Sequence, residues 1–126
     1  MTKKIYLASP YSDPNYLIEE QRFSDVCREV AKLMNSGYVV FSPIAHCHPV
    51  AKISYLPTDY SYWKDFGISF IEWCDELWIL MLDGWEKSKG IQGECETAKM
   101  LNRPIRYIIS EDFFTTKNIQ KVIRHA

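Results

Sequence analysis

Four short apolar runs, set apart by longer amphipathic stretches, constrain this chain more than any other feature. The runs are 4–9, 38–42, 76–82 and 104–109, and each is too short for a stable helix, so each reads as a strand. Between the first two, Leu17, Phe23, Val26, Val30 and Leu33 recur at short helical steps among charged residues. That spacing predicts one amphipathic helix over 14–35. Asp13 is its expected N-cap, Pro14 its first residue, and Asn35-Ser36-Gly37 its stop. The segment from Pro43 to Pro57 is rich in proline and small residues and reads as a loop carrying His46-Cys47-His48-Pro49. Thr58 or Asp59 caps a helix to about Trp73, and a loop over 83–87 follows the third strand. Ile91, Cys95, Ala98 and Leu101 mark a further helix ending near Asn102, and a final helix is expected from Glu111.

Strands that alternate with helices pair in parallel through right-handed crossovers, so the fold class is α/β. At 126 residues the chain is expected to form a single domain, 1–126. Ligands of such sheets bind beyond the carboxyl ends of the strands. The loops there bring together Ser9, Tyr11, Ser12, His46, His48, Asp83, Ser88 and Glu94, with Tyr6 on the first strand. The stretch from Ser88 to Ala98 holds the most chemistry. Its glycines Gly90 and Gly93 allow backbone N–H groups close to a ligand at a helix start. Glu94 is expected in the first helical turn, where the dipole favours the ionised carboxylate. Such a carboxylate beside a small-molecule pocket can attack a sugar carbon. The plain alternative is a glutamate placed there by the dipole alone.

Charge is balanced, with 15 basic and 16 acidic residues, so no basic surface points to a nucleic acid polymer. No apolar run approaches the roughly 18 residues of a membrane span, and the N-terminus lacks the apolar core of a signal peptide. A cytoplasmic protein is expected. Cys27, Cys47, Cys74 and Cys95 are widely spaced, which suits reduced thiols. His46 and His48 would need further ligands to hold a metal, and only His125 remains as an imidazole, so no metal site is expected. Beside a ligand pocket at the strand ends the two histidines fit ligand contacts better. Aromatic residues make up 14% of the chain, enough to serve a core as well as a ligand or a subunit partner.

The opening Lys4-Ile-Tyr-Leu-Ala-Ser-Pro-Tyr-Ser12, taken with Gly90-x-x-x-Glu94-x-x-x-Ala98, resembles the nucleoside 2-deoxyribosyltransferase superfamily, which includes the 2'-deoxynucleoside 5'-phosphate N-hydrolases. Phe41-Ser-Pro-Ile-Ala-His-Cys-His-Pro49 and Asp75-Glu-Leu-Trp78 are similar to a group of short bacterial and phage proteins within it. The resemblance spans roughly 4–109. It implies a flavodoxin-like (Rossmann-like) three-layer sandwich around a parallel sheet of four to five strands. It also implies a glutamate that attacks C1' of a (deoxy)ribosyl group while the base leaves, and a water or second base that resolves the sugar ester. That glutamate falls on Glu94, and the tyrosine that orients it falls on Tyr6. Ser88 matches a position where the monophosphate hydrolases carry a serine near the phosphate. The family usually has a second carboxylate eight residues before the position of Asp75, which here is Gly67, with Asp65 and Asp59 as nearby stand-ins.

The hydroxyls of Ser9, Ser12 and Ser88, with the Gly90 N–H, are candidates to hold a 5'-phosphate. Asp59 and Trp63 join the substrate-binding set, the latter as a surface on which a base can stack. Asp75 reads as structural, and Glu96, two residues past Glu94, should point away from the pocket. The leading expectation is an enzyme that needs no cofactor and acts on a small nucleoside or nucleotide, assembled as a homodimer or larger homo-oligomer. The competing one is a nucleotide sensor on the same fold with little or no catalysis.

Overall fold

A computed structural model describes residues 2–57 and 59–110. Strand β1 (Lys4–Ala8) leads to helix α1 (Tyr16–Asn35), β2 (Val39–Phe41) to α2 (Pro43–Ser54), and α3 (Tyr60–Trp73) to β3 (Glu76–Leu80). A short turn of 3-10 helix (Trp85–Lys87), helix α4 (Lys89–Met100) and strand β4 (Ile105–Ile108) complete the order. The four strands form one all-parallel sheet in the order β2-β1-β3-β4. This is the doubly wound order of flavodoxin-like folds, with the direction of winding reversing between β1 and β3.

β1 and β3 lie in the centre, in register from Ile5 opposite Glu76 to Ala8 opposite Ile79. Both faces of a central parallel strand are covered, which is why these runs are apolar almost throughout. Alternation along the pleat splits them into two cores. Ile5, Leu7, Trp78 and Leu80 pack with Val26 and Leu33 of α1. Tyr6, Ala8, Leu77 and Ile79 pack on the opposite face with Ile71 of α3 and with Ile91 and Ala98 of α4. Tyr6 is therefore sent by strand geometry toward the layer that carries α4.

Two expectations are corrected. The segment read as a loop from Pro43 to Pro57 is mostly helix α2. Ser42 caps it by accepting from the Ala45 N–H, and Pro43 starts it with its fixed φ. Ile44, Cys47, His48 and Ala51 form its buried side despite Pro49 within it. The N-cap of α1 is Asn15, which accepts from the Leu17 N–H, while Asp13 accepts from the Asn15 N–H one step earlier. Asp75 is structural as expected, accepting from the Lys4 N–H at 2.8 Å, and Glu96 is exposed. The helix expected from Glu111 and the capping role offered to Thr58 fall outside the described residues. Among the described residues no helix is long and apolar enough to cross a membrane, and all four cysteines are free thiols.

Candidate active site

A cavity of about 780 Å³ opens at the carboxyl ends of β1 and β3, where the winding reverses. Tyr6, Ser9, Tyr11, Ser12, His48, Asp59, Trp63, Ser88, Gly90 and Glu94 all line it. His46 does not. Its ring is exposed and stacks on Phe66 at 5.5 Å, away from the cavity. Helix geometry explains the split, because His46 and His48 are two residues apart and so face different sides of α2.

Glu94 projects from α4 and is buried, and the Tyr6 hydroxyl donates to its Oε2. Burial pushes the Glu94 carboxyl up to about 7, and the Tyr6 hydrogen bond opposes that rise. Burial, followed by the charge of Glu94, keeps the Tyr6 phenol well above its ordinary value, so it stays a neutral donor. The expectation that the helix dipole holds Glu94 ionised is corrected here. Helix α4 begins at Lys89, so Glu94 lies beyond its first turn, and desolvation sets its state.

Ser88 is the N-cap of α4 and accepts from the Ile91 N–H at 3.2 Å. Ser9 Oγ is buried at the cavity wall and has no hydrogen-bond partner among the described residues. Gly90 lines the cavity at the start of α4, and Gly93 has a steric use of its own. A Cβ at Gly93 would stand 2.3 Å from the Tyr60 hydroxyl, so Gly93 makes room for the Tyr60 ring against α4. A Cβ at Gly67 would stand 3.1 Å from the Tyr6 hydroxyl, so this glycine gives the Tyr6–Glu94 pair its space.

Neither stand-in carboxylate is hydrogen-bonded to that pair among the described residues. Asp65 is exposed and does not line the cavity. Asp59 sits at the N-terminus of α3, where the Ser61 hydroxyl donates to it and holds it below the usual carboxylate range. Trp63 donates its ring N–H to the Pro57 carbonyl at 2.7 Å. His48 has both ring nitrogens engaged, with Tyr11 Oη 2.5 Å from Nδ1 and Glu20 Oε1 3.0 Å from Nε2. Phe23 stacks on the same ring at 4.3 Å.

Sequence reasoning missed Arg22, Tyr60, Lys64, Lys87 and Lys89, which also line the cavity. Arg22 donates from Nη1 to the carbonyls of Tyr11 and Ser12 and from Nη2 to that of Asp83, each at 3.1 Å. It thereby ties the loop after β1 to the loop after β3. The only sequence signal was an arginine on the charged side of an amphipathic helix. Among the described residues no group of three or more His, Cys, Asp or Glu is placed to hold a metal ion.

The solved 2-deoxyribosyltransferase of the psychrotolerant bacterium Bacillus psychrosaccharolyticus is similar in structure, with a TM-score of 0.57 and 20% sequence identity. The match covers 93% of this chain and 80% of that one. At that identity the likeness speaks for the fold, and it agrees with the parallel sheet and winding described above. No curated protein matches the chain. The family model described as "Domain of unknown function (DUF1937)" matches residues 3–110, and the chain belongs to that family.

Proposed function

We propose that this protein cleaves or transfers at the N-glycosidic bond of a (deoxy)nucleoside or nucleoside 5'-monophosphate, with Glu94 as nucleophile. The observation that carries this reading is the buried Glu94 carboxyl, held by Tyr6, in a cavity at the winding reversal of the sheet. Loss of a base leaves positive charge at C1', and an adjacent carboxylate favours that state over the ground state. With its pKa near 7, a large share of Glu94 is ionised at neutral pH. Its poor solvation makes that carboxylate a better nucleophile than one in water.

In the first step a Glu94 oxygen bonds to C1' while the C1'–N bond breaks. In the second, water or another base displaces the glutamate. Arg22, Lys64, Lys87 and Lys89 at the cavity wall, with the unpartnered Ser9 hydroxyl, suit a phosphorylated sugar. Exposed Tyr55, Tyr62 and Ile53 suit assembly into a homodimer or larger homo-oligomer.

The test is a panel of nucleosides and their 5'-monophosphates incubated with the protein and assayed for free base by chromatography. Release from at least one member, abolished by Glu94→Gln, is expected. A wild-type protein that releases base from none of them overturns the proposal. Ligand-induced melting shifts without turnover would then favour a sensor.

A further inference from the structure

The cavity holds a second hydrogen-bonded chain that the glutamate chemistry does not use. Tyr11 lies in the loop after β1, His48 on α2 and Glu20 on α1, so three separate elements meet there. His48 is buried, and the Phe23 ring fixes its plane. Lys52 Nζ is 3.0 Å from the same Glu20 oxygen that faces His48, and this contact holds the Glu20 carboxyl below its usual range. A carboxylate at Nε2 requires a proton on that nitrogen. Nδ1 of neutral His48 then accepts from the Tyr11 hydroxyl. When His48 is protonated, Nδ1 donates to the Tyr11 oxygen instead, and the Tyr11 proton is released toward the cavity. The imidazolium is matched by the Glu20 carboxylate at 3.0 Å.

A departing base needs a proton, and the carboxyl groups that line the cavity supply it poorly, while burial, followed by the charges of Glu19 and Glu20, pushes the Tyr11 phenol up and keeps it a protonated donor. Glu94 is occupied as nucleophile in the proposed reaction. Asp59 is held ionised by Ser61. Asp13 is spent on the backbone N–H of Asn15. Tyr11 and Glu94 line the same cavity.

We propose that Tyr11 is the general acid for the departing base and that His48, positioned by Glu20, resupplies its proton. This rests on the N-glycosidase reading above. As the C1'–N bond breaks, its electron pair stays with the base, which takes the Tyr11 proton. The Nδ1 proton of the His48 imidazolium moves to the Tyr11 oxygen, so no tyrosinate is left. When water displaces Glu94 from C1', one water proton returns through Tyr11 to His48, and the carboxylate is regenerated. Glu20 and His48 act through Tyr11, which delivers the proton to the substrate.

The experiment measures base release against leaving-group acidity. It uses the base the wild type prefers and its halogen- and nitro-substituted forms on the same sugar. An acid catalyst matters for a basic leaving group and hardly at all for an electron-poor one. Wild-type turnover should vary little across the series. Tyr11→Phe should lower release of the unsubstituted base by roughly 100-fold or more, with the loss shrinking to a few-fold for the nitro form. His48→Gln, a second variant if the first folds poorly, should show the same steepening.

An equal loss across the series, no loss at all, or a wild type already steep overturns the relay while leaving Glu94 as nucleophile. A wild type that releases no base overturns both proposals.

Discussion

Replacing Glu94 by glutamine removes a charge from a buried site while keeping an acceptor for the Tyr6 hydroxyl, so the pH dependence of its effect on stability follows from the site's electrostatics. The folded carboxyl lies at about 7, against 4.5 for a free glutamate side chain. Between those values the folded protein binds more protons than the unfolded chain, so stability falls as pH rises. The favourable contribution of the buried acid is complete below about 4.5 and is lost as pH rises through about 7. At 1.36 kcal/mol per pKa unit, the gap corresponds to roughly 3 kcal/mol. Glutamine does not titrate. The stability of Glu94→Gln relative to wild type should therefore grow by about 3 kcal/mol from acid to pH 8, whatever constant offset the substitution carries. Urea unfolding of both proteins at pH 4.5, 6, 7 and 8, followed by tryptophan fluorescence, measures this directly. A difference that stays constant with pH refutes the claim that desolvation dominates at Glu94. Glutamine losing ground as pH rises would reverse it.

Tyr6→Phe removes the hydrogen bond that opposes the upward push on Glu94. A hydrogen bond to a charged group is worth about 1.5–3 kcal/mol, so the rising limb of base release against pH should move up by about one to two pH units. A limb that stays in place would show that Tyr6 does not tune the nucleophile. Gly84 has φ +90°, and a Cβ there would stand 2.8 Å from Arg22 Nη2, so Gly84→Ala should cost about 1–3 kcal/mol in urea unfolding. A loss within the error of the measurement would mean that the loop after β3 can relax around the arginine.

The sheet was legible because apolar runs such as Leu77–Leu80 leave little choice but a covered central strand. Tyr6 and Glu94 were legible as a pair through the family resemblance. Nothing in their separation of 88 residues says that they touch. Helix α2 was missed because Pro43 and Pro49 read as loop markers, whereas Ser42 followed by Pro43 is also a sound helix start. The state of Glu94 was misjudged because depth is a tertiary property. A position near a helix start says nothing of what covers it. The division between His46 and His48 depended on the direction of α2. The engagement of His48 depended on Glu20, 28 residues away, and no local pattern carries that pairing.

Among the described residues Arg22 grips its two loops through carbonyl oxygens. Main-chain oxygens are common to every residue type, so this clasp is blind to which side chains the rim displays at 11, 12 and 83. The mouth therefore keeps its width whatever side chain position 12 presents to a ligand, while Tyr11 stays tied to its proton relay. A single guanidinium thus uncouples the shape of the entrance from the chemistry it presents.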